Sequence, residues 1–344
     1  MAGTYRFSFG PWNIHEGADP FGPQVRESVE FGRKLKMYKS LGFEGVQFHD
    51  DDAVPELNDL TPEQIVQKAK TLHAVLEAEG LTAEFVAPRL WEDARTIDGA
   101  YTSNDAACRQ YAQDRTHRAI DIAQALDTKL IVLWLAREGT YIREAKDSKV
   151  AIERLVAAIN DMLAYDPSIR IAIEPKPNEP MDQAYVPTTG HALAVAAMTD
   201  DPGRVGVNIE SAHAILAGLD PSDEMGFALA TGKLFTVHLN DQNGLKFDED
   251  KSFGSVDLRR AFNQVRILDR HDYGQNGEWV GLDIKAMRTQ KAAGATRHLS
   301  NSRTIFLRLL ELVRGLDVSE MDALIACRDY ETLELKIVDH LLGK

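Results

Sequence analysis

The chain predicts an α/β fold, a single (β/α)8 TIM barrel followed by a short helical C-terminal tail. Three observations carry that reading. Short apolar runs alternate with longer helical patterns eight times along the 344 residues. The runs are mainly apolar without a polar face, as expected of strands buried on both sides in a parallel sheet. Several runs end in a carboxylate or an imidazole, and strand ends at a barrel mouth are where such folds place their chemistry.

In chain order the runs are Phe7–Phe9, Gly45–Phe48, Ala83–Ala87, Leu130–Trp134, Ile171–Ile173, Val205–Ile209, Leu234–Leu239 and Trp279–Ile284. Helical patterns fill the intervals. One spans about Asn104 to Leu126, with Asn104 as its N-cap. The next spans about Asp147 to Tyr165, with Val150, Leu155, Ile159 and Met162 on its apolar face and Asp147 or Ser148 as cap. The last barrel helix, about Asn301 to Val313, carries Ile305, Leu309, Leu312 and Val313 on one side. The barrel thus takes residues 1–314. Residues 315–344 hold two further helical patterns, Glu320–Ala326 and Glu331–Leu342, too short to fold alone. They are expected to pack on the barrel or on a neighbouring subunit.

Composition narrows the function classes. Hydrophobic residues make up 44% and charged residues 27%, an ordinary globular balance. The formal net charge is −14 with no run of lysine or arginine, which disfavours nucleic acid and anionic membrane as partners. The two cysteines, Cys108 and Cys327, form no disulfide framework, so a reducing cytoplasm is expected. The first residues, Met1 to Arg6, lack the apolar core of a secretory leader. The longest apolar run, Leu130 to Ala136, is far too short to span a bilayer.

Chemistry gathers at the strand ends. Glu174, Glu210, His238 and Asp283 end the fifth to eighth strands on this reading. Three carboxylates and an imidazole at one mouth suit Mg2+, Mn2+ or Co2+ better than a closed zinc site. Each alone reads equally well as a salt-bridge partner; four at successive strand ends favour a cation. Glu210 and His213 lie three residues apart just past a strand and can face one point. Asp248 and Asp250 form a second acidic cluster, which otherwise reads as a charged surface loop. A bridging Glu210 would serve two cations roughly 4 Å apart. His49 ends the second strand ahead of Asp50, Asp51 and Asp52, and an aspartate there can fix the imidazole tautomer. Trp12, Trp91 and Trp134 fall at or near strand ends as sugar-facing walls or as core. Lys176 and Lys285 each follow a ligand-type carboxylate by two residues, placed to bind a substrate oxygen or to pair with those acids.

These residues resemble the xylose isomerases, in particular their shorter, actinobacterial-type class. The matching stretches include Arg6–Gly10 with Trp12, Asp19-Pro20-Phe21-Gly22, Phe48–Asp52, Trp134 with Arg137-Glu138-Gly139, and Glu174–Pro180. They continue through Pro187-Thr188, Ala217-Gly218-Leu219, Gly232–Phe235, Phe253-Gly254 and Asp339–Gly343. The resemblance implies a homotetramer (or dimer) with two divalent cations per chain, Mg2+, Mn2+ or Co2+. It implies aldose–ketose isomerisation by a metal-assisted hydride shift between C2 and C1 of an open-chain sugar. It assigns Glu174, Glu210 and Asp283 to a structural cation, and Glu210, His213, Asp248 and Asp250 to a catalytic one. Lys176 matches the lysine at the sugar O1, and His49 with Asp52 the pair tied to ring opening. Trp12 and Trp134 match the aromatic walls, and Phe21 a side chain inserted into a neighbouring subunit's pocket. The chain departs from the class at His238 (aspartate there), Ala87 (threonine), Phe85 (methionine) and Trp91 (phenylalanine). Rhamnose isomerases and ketose 3-epimerases look similar in placing a histidine on that strand. A ketose epimerase on the same barrel and a sugar-binding barrel with reduced catalysis are the alternatives.

Overall fold

In the computed structural model residues 5–344 are described. Eight parallel strands close into a barrel: β1 (Arg6–Phe9), β2 (Gly45–His49), β3 (Thr82–Ala87), β4 (Leu130–Trp134), β5 (Arg170–Glu174), β6 (Val205–Glu210), β7 (Leu234–Leu239) and β8 (Trp279–Leu282). Each pairs with its neighbours in sequence, and β1 closes on β8 through Arg6↔Trp279 to Phe9↔Leu282. All eight apolar runs are therefore barrel strands. The eighth stops at Leu282 rather than Ile284, because Asn13 Nδ2 takes the Ile284 carbonyl at 3.0 Å and draws the chain off the sheet.

Eight helices, α1 to α8, follow the strands: Phe31–Leu41, Pro62–Ala78, Ala106–Ala125, Ser148–Tyr165, Thr189–Ala197, Pro221–Ala230, Leu258–Arg270 and Arg297–Arg314. Asp147 caps α4, accepting from the backbone of Lys149 and Val150. The cap of α3 is Asp105, which accepts from Ala107 N at 2.9 Å, not Asn104. Asn104 is diverted: its Nδ2 donates to Ala145 O at 2.7 Å. Helix α8 starts a turn earlier than its apolar stripe indicates, because His298 and Leu299 are also buried.

The main core lies between sheet and helices. Phe9 stacks on Tyr38 with centroids 3.8 Å apart, and Phe43 meets Phe9 edge-on. A smaller cluster, Phe85, Ala87, Val132, Ala172 and Phe235, sits apart from it. Its alanines leave room beneath the mouth. Two register shifts matter there: β2–β3 pairing steps from Ala83 to Phe85, and β6–β7 pairing from Leu234 to Thr236. An extra residue at each point re-aims the side chains beyond it.

The tail forms α9 (Val318–Cys327) and α10 (Tyr330–Leu341). It touches its own barrel through buried Met321, an Arg259–Glu334 ion pair at 2.7 Å, and His340 Nε2 donating to Leu312 O at 2.7 Å. No helix among the described residues is long and apolar enough to cross a membrane, and both cysteines are free. Met1–Thr4, part of the segment read as lacking a leader, lie outside the described residues.

Candidate metal centre

The barrel mouth brings seven ligand-type side chains to one place. Glu174 and Glu210 are the last residues of β5 and β6, and His238 sits on β7 in register with Glu210. His213 comes from the short helix Ser211–Leu216 immediately after β6. Asp283 follows β8 directly. Asp248 and Asp250 come from the loop after β7, whose base is clipped by paired backbone bonds between Asp241 and Lys251 at 3.0 and 3.1 Å.

Donor atoms of Glu174, Glu210 and His213 lie within 4.8 Å of one another; so do those of Glu210, His238 and Asp283, and those of Glu210, Asp248 and Asp250. Glu210 belongs to all three groups, the position a bridging carboxylate must hold. His213 Nε2 is 3.3 Å from Glu210 and 3.2 Å from Asp248. Glu174 Oε1 lies 3.5 Å from His238 Nδ1 and 3.6 Å from His213 Nδ1. It therefore reaches both halves of the cluster, rather than one as the resemblance implies.

The electrostatics favour a cation. Burial, reinforced by the charges of Asp248, Glu174 and Asp283, pushes the Glu210 carboxyl well above the usual range. Burial and the Asp248 charge raise Asp250 to about 7. Burial acts to lower His238, but the Glu174, Asp283 and Glu84 carboxylates outweigh it and raise the imidazole to about 9. Burial likewise opposes ionisation of Glu174, yet His238 and His213 hold it down to about 2. Both ring nitrogens of His238, Nδ1 of His213 and Oδ1 of Asp248 are buried without a hydrogen-bond partner. Crowded acids and orphaned donors of this kind fit divalent cations with oxygen and imidazole preference.

Asparagines that the sequence reading did not assign hold the other carboxylate oxygens. Asn208 Nδ2 donates to Glu174 Oε2 at 2.8 Å, and Asn240 Nδ2 to Glu210 Oε1 at 2.7 Å. Each stands two positions from a ligand on its own strand line, Asn208 before Glu210 and Asn240 after His238. The strand period of two was thus the available signal.

Around the cluster, Lys176 Nζ pairs with Asp248 Oδ2 at 2.8 Å, and Lys285 Nζ pairs with Asp250. Burial opposes the Lys176 charge, but Asp248 and Glu210 push its pKa up. Asp52 Oδ2 is 2.8 Å from His49 Nδ1, and Arg89 pairs with Asp51 at 3.0 Å and Asp52 at 2.9 Å. Beneath them, the fully buried Asp50 takes two bonds from Arg115, at 2.7 and 2.8 Å. Arg89 and Arg115 carry no motif signal and were missed. An aromatic wall faces the cluster: Trp12 stacks on His49 at 4.1 Å, Trp91 meets His49 edge-on at 5.1 Å, and Trp91 meets Trp134 at 4.6 Å.

All these predicted residues line one cavity of about 790 Å³. Phe21 does not. Its turn is closed by paired Asp19–Gly22 backbone bonds at 3.1 Å, and the ring is 73% exposed, edge-on to Phe247 at 5.4 Å.

Comparison with known proteins bears on the fold. Structures of similar fold include a D-psicose 3-epimerase from Clostridium cellulolyticum H10 solved with D-tagatose. It shares 15% identity and a TM-score of 0.63, with 90% of this chain and 99% of that one covered. A D-tagatose 3-epimerase-like protein gives 15%, 0.63, 90% and 98%. A 3-keto-D-glucoside 4-epimerase from E. coli in its apo form gives 15%, 0.59, 88% and 100%. At this identity the likeness speaks for the fold alone. The family model of the xylose isomerase-like TIM barrel matches residues 35–296, which span β2 to the threshold of α8 and every candidate ligand described above. The chain belongs to the xylose isomerase-like TIM barrel family.

Proposed function

We propose that the chain is a divalent-cation-dependent aldose–ketose isomerase working on an open-chain sugar at the barrel mouth. The observation that carries this reading is the second donor set. Asp248 and Asp250 form with Glu210 a donor group distinct from that of Glu210, His238 and Asp283, and His213 Nε2 joins it at 3.3 Å from Glu210 and 3.2 Å from Asp248. Glu174, Glu210, His238 and Asp283 would hold one cation, and Glu210, His213, Asp248 and Asp250 the other, with Mg2+, Mn2+ or Co2+ as candidates. When bound, the pair supplies Lewis-acid polarisation of sugar oxygens.

The protein's own groups supply the rest. Lys176, buried and charged, is placed to donate to the sugar O1 and stabilise negative charge there. The Asp52 carboxylate and the Arg89 guanidinium both meet His49 Nδ1 and hold the ring; in the tautomer whose Nδ1–H donates to Asp52, Nε2 is free to take a proton as the sugar ring opens. Trp12, Trp91 and Trp134 offer ring faces to sugar C–H groups and exclude water. Lys285 holds Asp250 and lines the same cavity. Exposed Phe21 is assigned to the pocket of a neighbouring subunit in a homotetramer or dimer. The two free cysteines accord with the cytoplasm.

The actinobacterial-type xylose isomerase class is the finer assignment. The four departures from it, Phe85, Ala87, Trp91 and His238, all line the cavity, so sugar selectivity is where the chain would differ. The second reading is a ketose epimerase, favoured by the fold likeness to sugar epimerases and by His238 itself. There Glu174 and another carboxylate would pass a proton.

Incubation of the Mn2+-loaded protein with a panel of aldoses and ketoses in D2O separates them. A hydride shift gives the aldose–ketose product with no solvent deuterium at the migrating position. Epimerised ketose carrying deuterium at the inverted carbon would overturn the isomerase reading.

A further inference from the structure

The short 3-10 turn Pro11–Asn13 follows β1 and faces the last ligand of the cluster. Trp12 Nε1 donates to Asp283 Oδ1 at 2.9 Å, and Asn13 Nδ2 donates to the same oxygen at 3.0 Å. The orientation of the Asn13 amide is fixed. Its Oδ1 accepts from Gly10 N at 2.9 Å, so its nitrogen must face Asp283 and the Ile284 carbonyl. The Asn13 backbone is pinned from the other side, where buried His298 on α8 donates Nε2–H to Asn13 O at 2.9 Å. Asn13 is itself fully buried.

We propose that Asn13 and Trp12 are positioning residues that confine Asp283 to cation binding through a single oxygen, Oδ2. Two donors converge on Oδ1 and hold the carboxylate plane. A carboxylate held in this way presents its remaining oxygen without having to give up rotational freedom when a cation arrives. The same turn serves a second purpose. The Trp12 ring stacks on His49 at 4.1 Å, so the residue that steadies a cation ligand also backs the proposed ring-opening histidine. Asn208 and Asn240 act in parallel on Glu174 and Glu210, each taking one oxygen. The inference rests on the divalent-cation reading above and adds to it how the Asp283 side is tuned.

The test uses the full chain, stripped of metal and titrated calorimetrically with Mn2+. Asn13→Leu removes one donor to Oδ1, and Trp12→Phe removes the other while keeping an aromatic ring. In each variant one of the two dissociation constants should weaken by about 10- to 100-fold, the usual cost of losing an outer-sphere partner, and the other should hold. A metal-free melting temperature close to wild type shows that the variant is folded. Because Asn13 also bonds Gly10 and Ile284, Trp12→Phe decides the matter if Asn13→Leu does not fold. An unchanged constant in either folded variant, or equal weakening of both constants, overturns the positioning role. A wild-type chain that takes up no Mn2+ overturns instead the reading on which it rests.

Discussion

Cation uptake should expel protons, and the cluster sets how many. His238 is raised to about 9 by its carboxylate neighbours and Asp250 to about 7 by burial and Asp248. At pH 7 a group with a pKa near 9 is almost fully protonated and one near 7 about half, so these two release roughly 1.5 protons when a cation displaces them. Glu210, pushed upward as well, adds to the count. Affinity should therefore fall between about tenfold and a hundredfold for a drop of one pH unit near neutrality. The assay is Mn2+ titration calorimetry at pH 7 in PIPES and in Tris, whose ionisation enthalpies differ. The slope of apparent heat against buffer enthalpy counts the protons. His238→Asp should still bind, with the count lower by about one. The sign carries over to stability. His238 stabilises the metal-free fold fully below its unfolded value near 6.5, and that share is lost as pH rises through about 9. Asp250, raised from 3.8, likewise costs stability as pH climbs toward 7. Mn2+ should therefore raise the melting temperature more at pH 8.5 than at pH 6. Buffer-independent heat together with pH-independent affinity would refute the reasoning: the raised groups would then not be the ones the cation meets.

Two further predictions concern the surroundings of the cluster. Arg115→Met strands fully buried Asp50 and should cost ~3–5 kcal/mol in urea unfolding, part of it recovered by adding Asp50→Asn, which removes the charge but keeps an acceptor for the Asp51 and Arg89 backbone N–H; a loss under ~1 kcal/mol in the single variant contradicts this. Phe21→Ala should leave the isolated chain's stability within ~1 kcal/mol, since the ring touches little of its own barrel, yet weaken assembly in sedimentation; a wild-type monomer by light scattering at micromolar concentration removes the intersubunit role.

The barrel was legible because its strands are apolar on both faces, and a run such as Ile171–Ile173 between helical patterns has few other readings. Ends were harder. Asn104 reads as a cap until a carbonyl 41 residues away competes for it, and β8 is shortened by Asn13, whose role no local pattern reveals. Glu174 and Glu210 were readable because strand ends project inward at the mouth. Asp248 and Asp250 read either as a second acidic cluster that a bridging Glu210 could join or as a charged surface loop, and spacing alone does not choose between them, because their loop leaves the barrel and returns. Arg89 and Glu84 were illegible for another reason. Glu84 falls at the register shift in β3 and turns into a buried network with Ser8, Gln47 and Thr236, where alternation along the strand gives no guide.

The acidity of the chain acquires a local meaning at the mouth. Nine carboxylates and five lysine or arginine side chains line the cavity, a deficit of four positive charges at one mouth, against −14 for the whole sequence. Acids confined in this way repel one another, and burial makes each charge more costly. The metal-free chain meets that cost in two ways. It raises the proton affinity of Glu210, Asp250 and His238, and it borrows the ammonium groups of Lys176 and Lys285 for Asp248 and Asp250. Both devices keep the loop after β7 folded against Glu210, so its carboxylates already face the cluster rather than solvent. On the proposed two-cation reading, two divalent cations would offset the formal four-charge deficit, and a net charge near zero would favour an uncharged ligand such as a free sugar. On that reading, cations held by Asp248 and Asp250 would release Lys176 and Lys285 from their strongest partners while both still line the cavity. That turns the ambiguity of the sequence, ion pair or substrate contact, into a sequence of two roles for the same side chains.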